Sequence, residues 1–225
     1  MLNQVSARTV PFAHRWTLTN LLAAPLAGIA LFLGLVFVAW IHPVGTNVPN
    51  MLAMLAWMLP LGGGVGLVFG LLQAMALRGR VTLLRWTAAT TVGLALDAGL
   101  MAAAWTLRVW GEQPAVISQL PGWGAELALG GFWLLAVGHG CALAGVQSLA
   151  LPGKPRRGVW LLGAGLTWSL LTPFPFILTE RWWAALALAL PLPVDLGGLY
   201  LPFLLFALPY VIVTGWLWPV GQQSS

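Results

Sequence analysis

Residues 61–80 of this chain read LGGGVGLVFGLLQAMALRGR, and residues 135–154 read LAVGHGCALAGVQSLALPGK. The two stretches align without a gap when the chain is shifted by 74 positions. Each is a long apolar run that carries a glutamine, Gln73 or Gln147, close to its basic end. Long apolar runs of this kind are typical of membrane-spanning helices. The pattern therefore favours a repeated membrane helix as the unit of the fold.

Small residues occupy every fourth position along both copies of this helix. They are Gly62, Gly66 and Gly70 in the first copy, and Ala136, Gly140 and Ala144 in the second. Such a ridge lets helix backbones approach closely, and a nearby amide can hydrogen-bond a neighbouring helix. We expect the ridges and both glutamines to serve helix packing, with substrate binding by Gln73 and Gln147 as the alternative.

The composition excludes an ordinary soluble domain. Only 7% of the 225 residues are charged and 60% are hydrophobic, whereas a soluble domain carries roughly 25% charged residues. The net charge of +5 is spread over short clusters between apolar runs, without the basic stripe of a nucleic-acid-binding protein. We therefore expect an integral membrane protein whose first partner is the lipid bilayer, and no nucleic-acid partner.

Six apolar runs are long enough to cross a bilayer, which takes about 20 residues. They are Thr17–Ile41, Met51–Leu77, Leu83–Val109, Gly124–Leu151, Gly158–Thr179 and Leu196–Trp218. The predicted fold is an all-α bundle of about six transmembrane helices, built as three repeated hairpins at approximately 1–80, 81–155 and 156–225. Pro173 and Pro175 interrupt the fifth run, and residues 181–190 are too short to span and predict an interfacial or re-entrant segment.

The basic residues predict the orientation. Eight of the ten Lys and Arg residues fall on one side of a six-span arrangement, and only Arg108 and Arg181 fall on the other. Loops rich in Lys and Arg remain in the cytoplasm. We therefore predict a multi-pass protein of the bacterial inner membrane with both termini cytoplasmic. Nine tryptophans near the run ends are typical of an interfacial aromatic belt. They are Trp16, Trp40, Trp86, Trp110, Trp123, Trp160, Trp182, Trp183 and Trp218.

The spacing G-x-x-x-G-x-x-Q-x-x-x-L followed by basic residues is met by Gly66, Gly70, Gln73, Leu77 and Arg78. It resembles a motif of uncharacterised multi-spanning membrane proteins from phototrophic bacteria, including Chloroflexus-like bacteria and cyanobacteria. The second copy departs from the motif at Ala144 and Pro152. The resemblance implies a similar helical architecture and does not indicate an activity.

Asp97 and His139 stand out among the ionisable residues because they lie far from both ends of their predicted spans. Asp97 lies twelve residues from Arg85 and His139 lies twelve residues from Leu151, both on the predicted cytoplasmic side, so an antiparallel hairpin would bring them to similar depth, about 18 Å from that side. Intramembrane ionisable groups are costly and are functional candidates by default.

Three roles fit these two residues. They could form an interhelical polar clamp, or a proton or cation relay. Alternatively, His139 could ligate the magnesium of a chlorophyll or bacteriochlorophyll or a haem iron, with Asp97 orienting the ring. In that case Gly138 and Gly140 would leave room for the macrocycle.

Common enzyme signatures are absent from the sequence, including H-E-x-x-H, G-x-S-x-G and a phosphate loop. We therefore expect no catalytic activity. The predicted function is an accessory or scaffolding subunit of a larger membrane protein complex, photosynthetic or respiratory, in contact with pigment, quinone or lipid. The alternative is a small proton-coupled transporter that uses Asp97 and His139, favoured by the internal repeat and the proline-broken runs.

Overall fold

The computed structural model describes residues 2–41, 48–112, 122, 124–151, 154–171, 204 and 207–215. Within these residues the chain forms helices, and residues 77–82 form a short turn between two of them. The helices are α1 (Leu2–Ile41), α2 (Val48–Ala76), α3 (Leu83–Glu112), α4 (Gly124–Leu149), α5 (Lys154–Leu171) and α6 (residues 207–215). The prediction of an all-helical chain is confirmed for this part.

Four of the described helices contain stretches long and apolar enough to cross a membrane. These stretches are His14–Val38, Leu52–Ala76, Leu83–Gly111 and Glu126–Leu149, and they coincide with the first four predicted runs. Helices α5 and α6 overlap the fifth and sixth runs. The predictions for Pro173, Pro175 and residues 181–190 lie outside the described residues.

Helix α1 begins at Leu2, well before the predicted run that starts at Thr17. The difference has a physical reason. An apolar run marks the residues that lipid can solvate, whereas helix bounds depend on backbone hydrogen bonds, which continue into polar sequence.

The small-residue ridges of α2 and α4 face the helix that follows each of them. A Cβ added to Gly66 of α2 would lie 2.8 Å from the carbonyl oxygen of Thr90 on α3. A Cβ added to Gly140 of α4 would lie 2.6 Å from the carbonyl oxygen of Gly165 on α5. Glycine is required at both positions because the neighbouring backbone occupies the space of a side chain.

The remaining ridge positions lie in the same two interfaces or are buried beside them. A Cβ on Gly62 would lie 2.5 Å from the Cβ of Ala98, and one on Gly70 would lie 2.9 Å from the Cβ of Thr90. Ala136 and Ala144 are buried. In the described residues the ridges are therefore covered by helices of the same chain.

A tight turn joins α2 to α3. The Leu77 amide donates to the carbonyl of Gln73, and the Arg80 amide donates to the carbonyl of Leu77, both at 2.9 Å. Gly79 has a φ of 81°, a left-handed conformation that glycine adopts without steric cost. The turn keeps α2 and α3 antiparallel and brings the end of α2 beside the start of α3.

Candidate functional site

Gln73 is the centre of a buried layer of polar side chains near the α2–α3 turn. Its Nε2 donates to Asn20 Oδ1 at 2.7 Å and to the hydroxyl of Tyr210 at 3.1 Å. Its Oε1 accepts from Trp86 Nε1 at 3.2 Å and from Gln147 Nε2 at 3.4 Å. Two donors and two acceptors is the full hydrogen-bonding capacity of a glutamine amide. This single side chain therefore joins α1, α2, α3, α4 and α6.

Gln147 extends the layer to α5. Its Nε2 also donates to Thr90 Oγ1 at 3.1 Å, and its Oε1 accepts from Trp160 Nε1 at 3.3 Å. Gln147 is fully buried, as is Gln73. Side chains of all six described helices thus meet in one hydrogen-bonded layer.

Three tryptophans pack around this layer. The Trp86 and Trp160 rings meet edge to face with centroids 5.5 Å apart, and the Trp16 and Trp160 rings do so at 6.1 Å. Trp16 Nε1 donates to Thr214 Oγ1 of α6 at 3.1 Å. All three are buried, so placing them in a lipid-facing aromatic belt was wrong. Their indole N–H groups donate to side chains on other helices of the same chain.

The layer repeats one geometric unit. Trp86 donates to Gln73 and Trp160 donates to Gln147, and in each case the glutamine precedes the tryptophan by 13 residues. The alignment of the two stretches pairs these residues, so the signal for the tryptophan donors was present in the sequence. The belt interpretation used only the position of each tryptophan near the end of an apolar run. It therefore overlooked the alignment of these tryptophans with the glutamines.

Asp97 and His139 meet deeper in the bundle. His139 Nδ1 lies 2.5 Å from Asp97 Oδ1, and Trp168 Nε1 of α5 donates to the same oxygen at 3.1 Å. The side chains of Asp97 and His139 are 0% and 1% exposed. The structure therefore brings together the two predicted residues, and it adds Trp168, which sequence reasoning did not single out.

Two atoms of this pair lack a hydrogen-bond partner. Within the described residues they are Asp97 Oδ2 and His139 Nε2, both buried. Buried polar atoms are nearly always satisfied, so each exception requires an explanation. One unsatisfied atom belongs to each residue. Neither atom takes part in the hydrogen bond between Asp97 and His139.

Trp168 connects the pair to the polar layer. Its ring stacks on Phe69 of α2 at a centroid distance of 5.9 Å and meets Tyr210 edge to face at 5.3 Å. Tyr210 in turn accepts the hydrogen bond from Gln73. The pair and the layer thus belong to one contiguous core.

A pigment or haem at His139 does not fit this arrangement. A planar macrocycle needs an open face beside the ligating nitrogen, but His139 Nε2 is buried. Gly140, which was predicted to leave room for the ring, lies against Gly165 and Ser169 of α5. An added Cβ on Gly138 would meet nothing within 4 Å. Among the described residues no group of three or more His, Cys, Asp or Glu side chains could hold a metal ion.

An apolar groove lies between α1 and α2, on the side of the bundle that is open to the surroundings. It has a volume of about 530 Å³. Ala23, Ala27 and Ala30 line the α1 wall, and Gly64 and Phe69 line the α2 wall. Because Phe69 also stacks on Trp168, a single aromatic layer separates the groove from the residue that binds Asp97.

No protein-family model, curated protein or solved structure matches this chain. The resemblance to multi-spanning proteins of phototrophic bacteria therefore stays a prediction, and the chemistry of the site rests on its own residues.

Proposed function

We propose that the chain is a non-catalytic scaffolding subunit of a larger membrane protein complex. One observation carries the proposal: the buried polar side chains around Gln73 and Gln147 bind one another and hold the helices together. A layer of this kind gives a bundle a fixed shape without offering a reactive group. Photosynthetic and respiratory assemblies are the first partners to test, because of the resemblance to proteins of phototrophs.

The proposed architecture is a six-span bundle of three hairpins, with both termini on the cytoplasmic side of the inner membrane. The matched Gln73–Trp86 and Gln147–Trp160 bonds support the repeat. The bond from Trp16 to Thr214 supports a third, equivalent contact in which α1 completes the ring with α6. In this arrangement each odd-numbered helix donates an indole N–H to the even-numbered helix that precedes it around the ring.

The groove between α1 and α2 is the proposed docking surface for a transmembrane helix of a partner subunit. The ridges on α2 and α4 are already covered by α3 and α5, which leaves the groove as a concave apolar surface facing outward. Its alanines and Gly64 would let a partner backbone approach closely, which favours helix association in lipid.

Two matched variants test this function. Gly64 lines the groove, whereas Gly130 lies on α4 and outside the groove lining, and an added Cβ at either would meet nothing within 4 Å. Affinity-tagged chains are purified in mild detergent from native membranes and resolved on a native gel with mass spectrometry. We expect the wild type and Gly130→Leu to migrate with a larger complex, and Gly64→Leu to lose it. Migration of the wild type alone would contradict the proposal.

A small proton-coupled transporter is the second candidate. The unpartnered Oδ2 of Asp97 and Nε2 of His139 favour it, because intramembrane acid and imidazole groups mark proton pathways. Reconstituted vesicles with an imposed proton gradient test it. Substrate-dependent proton uptake that is lost in Asp97→Asn supports transport, whereas uptake equal to that of empty vesicles counts against it.

A further inference from the structure

The donors around Asp97 define the role of its two oxygens. An indole N–H can only donate, so Oδ1 accepts from Trp168 Nε1. The same oxygen lies 2.5 Å from His139 Nδ1, and a hydrogen bond in which one partner is ionised is shorter than a neutral one. The imidazole therefore directs its Nδ1 at the carboxyl group, and Nε2 faces away from it.

The charge of the pair depends on how many protons it holds. A neutral imidazole with its proton on Nδ1, beside an ionised Asp97, would leave one net negative charge in a site that is 0% and 1% exposed. An uncompensated charge in such surroundings is strongly unfavourable. One further proton on either residue makes the pair neutral.

Neighbouring residues of the described part of the chain do not supply that compensation. On α3 the nearest arginines are Arg85 and Arg108, twelve and eleven residues from Asp97, or about 18 and about 16 Å along the helix. On α4, Glu126 is thirteen residues from His139 and is itself acidic.

The titratable groups near Trp168 and Gly165 are neutral when protonated, and α2 contains no titratable residue. Cys141 of α4 packs beside Gly165, and Tyr210 of α6 contacts the Trp168 ring. On α5, Arg157 lies eleven residues before Trp168 and donates to the carbonyl of Leu151 at 3.3 Å, so its charge is held near the start of that helix.

We propose that Asp97 and His139 form a buried binding site for one proton, taken up in addition to the proton in their hydrogen bond. The added proton resides on His139 Nε2 beside an ionised Asp97, which gives an imidazolium–carboxylate pair. Transfer of the Nδ1 proton to Oδ1 then gives a neutral imidazole, protonated on Nε2, and a neutral carboxylic acid. The two forms hold the same two protons and have zero net charge.

Both unpartnered atoms belong to this site. Nε2 and Oδ2 are the outer ends of a chain that runs through Nδ1 and Oδ1. The inference stands apart from the scaffolding proposal, because proton binding does not depend on a partner subunit.

The composition of the chain makes the test direct. It contains only three histidines, His14, His42 and His139, and only two aspartates, Asp97 and Asp195. Full-length protein in lipid nanodiscs, labelled with ¹⁵N-histidine and ¹³C-aspartate, reports the protonation of each group by NMR at neutral pH. Comparison with His139→Gln and Asp97→Asn assigns the signals.

We expect the wild-type pair to show either an imidazolium with a carboxylate or a neutral imidazole with a protonated carboxyl group. In His139→Gln the Asp97 carboxyl group should be protonated, and in Asp97→Asn the imidazole should be neutral. Trp168→Phe is the matched control, because it removes one donor without changing the charge, and it should leave the pair neutral.

A neutral imidazole beside an ionised carboxylate in the wild type would overturn the proposal, even if neither variant folds. An ionised Asp97 in His139→Gln would also overturn it. The native-gel result for Gly64→Leu is unaffected by either outcome, so failure of this inference and failure of the scaffolding function are distinguishable.

Discussion

Gln147 donates its side-chain amide to the side-chain oxygen of Gln73 at 3.4 Å, although 74 residues separate the two. The separation equals the shift that aligns the two repeated stretches. The equivalent residues of the repeat are therefore in contact with each other at the centre of the polar layer. Their contact ties the repeat in the sequence to the interior of the fold.

Replacing Gln73 by leucine should destabilise the bundle by about 2 kcal/mol. The change leaves Asn20, Tyr210, Trp86 and Gln147 without their partner, and hydrogen bonds between membrane helices contribute about 0.6 kcal/mol each on average. Unfolding in detergent followed by circular dichroism measures the loss. Met75→Leu, at a side chain 64% exposed on the same helix, is the control and should unfold like the wild type. Equal stability of Gln73→Leu and wild type would show that the layer does not hold the helices.

The contact between α1 and α6 can be measured by a double-mutant cycle on Trp16 and Thr214. Trp16→Phe keeps an aromatic ring and removes the indole N–H, and Thr214→Val removes the hydroxyl acceptor. Each single change should cost about 1 kcal/mol, and the double variant should cost less than the sum of the two. Additive losses in unfolding free energy would mean that the two side chains do not interact.

Alanine substitutions at neighbouring glycines should have opposite outcomes. Gly66→Ala places a Cβ 2.8 Å from Thr90 O and should cost about 1 to 3 kcal/mol through overpacking. Gly64→Ala has nothing within 4 Å and should leave stability unchanged or raise it by up to about 1 kcal/mol, because alanine favours the helix.

The second copy of the repeat offers the same comparison. Gly140→Ala approaches Gly165 O at 2.6 Å, whereas an added Cβ on Gly138 meets nothing within 4 Å. Thermal unfolding of all four glycine variants in one detergent checks both comparisons. A loss at Gly64 or Gly138 equal to that at Gly66 or Gly140 would contradict the packing described for α2 and α4.

Removing one partner of the Asp97–His139 pair should cost more than removing both. His139→Leu leaves the buried Asp97 with Trp168 as its remaining donor, and an unsatisfied buried polar group costs about 2 kcal/mol. The double variant Asp97→Leu with His139→Leu should recover part of that loss, because apolar replacement of a buried pair is often neutral. Unfolding free energies of the three variants measure this, and a double variant less stable than His139→Leu alone would contradict it.

The sequence predicted the helices better than their rotations. Apolar runs locate spans because lipid solvation depends on composition. Equal distances from Arg85 and from Leu151 predicted that Asp97 and His139 lie at one depth, and the two side chains are in contact. The rotation of α5, which aims Trp168 at Asp97, depends on how Gly165 and Gly140 pack. That is a tertiary effect, which the sequence of α5 alone does not reveal.

The tryptophans also show that a position in the sequence does not predict which way a side chain faces. Trp86 and Trp160 have the same position along their runs whether they face lipid or protein, so position alone predicted the belt. Only the constant 13-residue spacing from a glutamine distinguishes a buried donor from an interfacial anchor. A hydrogen-bonding partner identified by the repeat was therefore the better signal.

The six-span architecture with both termini on one side is the central proposal, and site-specific labelling tests it most directly. Cys141, the single native cysteine, is changed to alanine, and one new cysteine is introduced at Thr82, Ser118 or Ser225. A membrane-impermeant maleimide is then applied to intact cells and to inverted vesicles. We predict that positions 82 and 225 react only in inverted vesicles and that position 118 reacts only in intact cells. Reaction of positions 82 and 225 from opposite sides of the membrane would contradict the architecture.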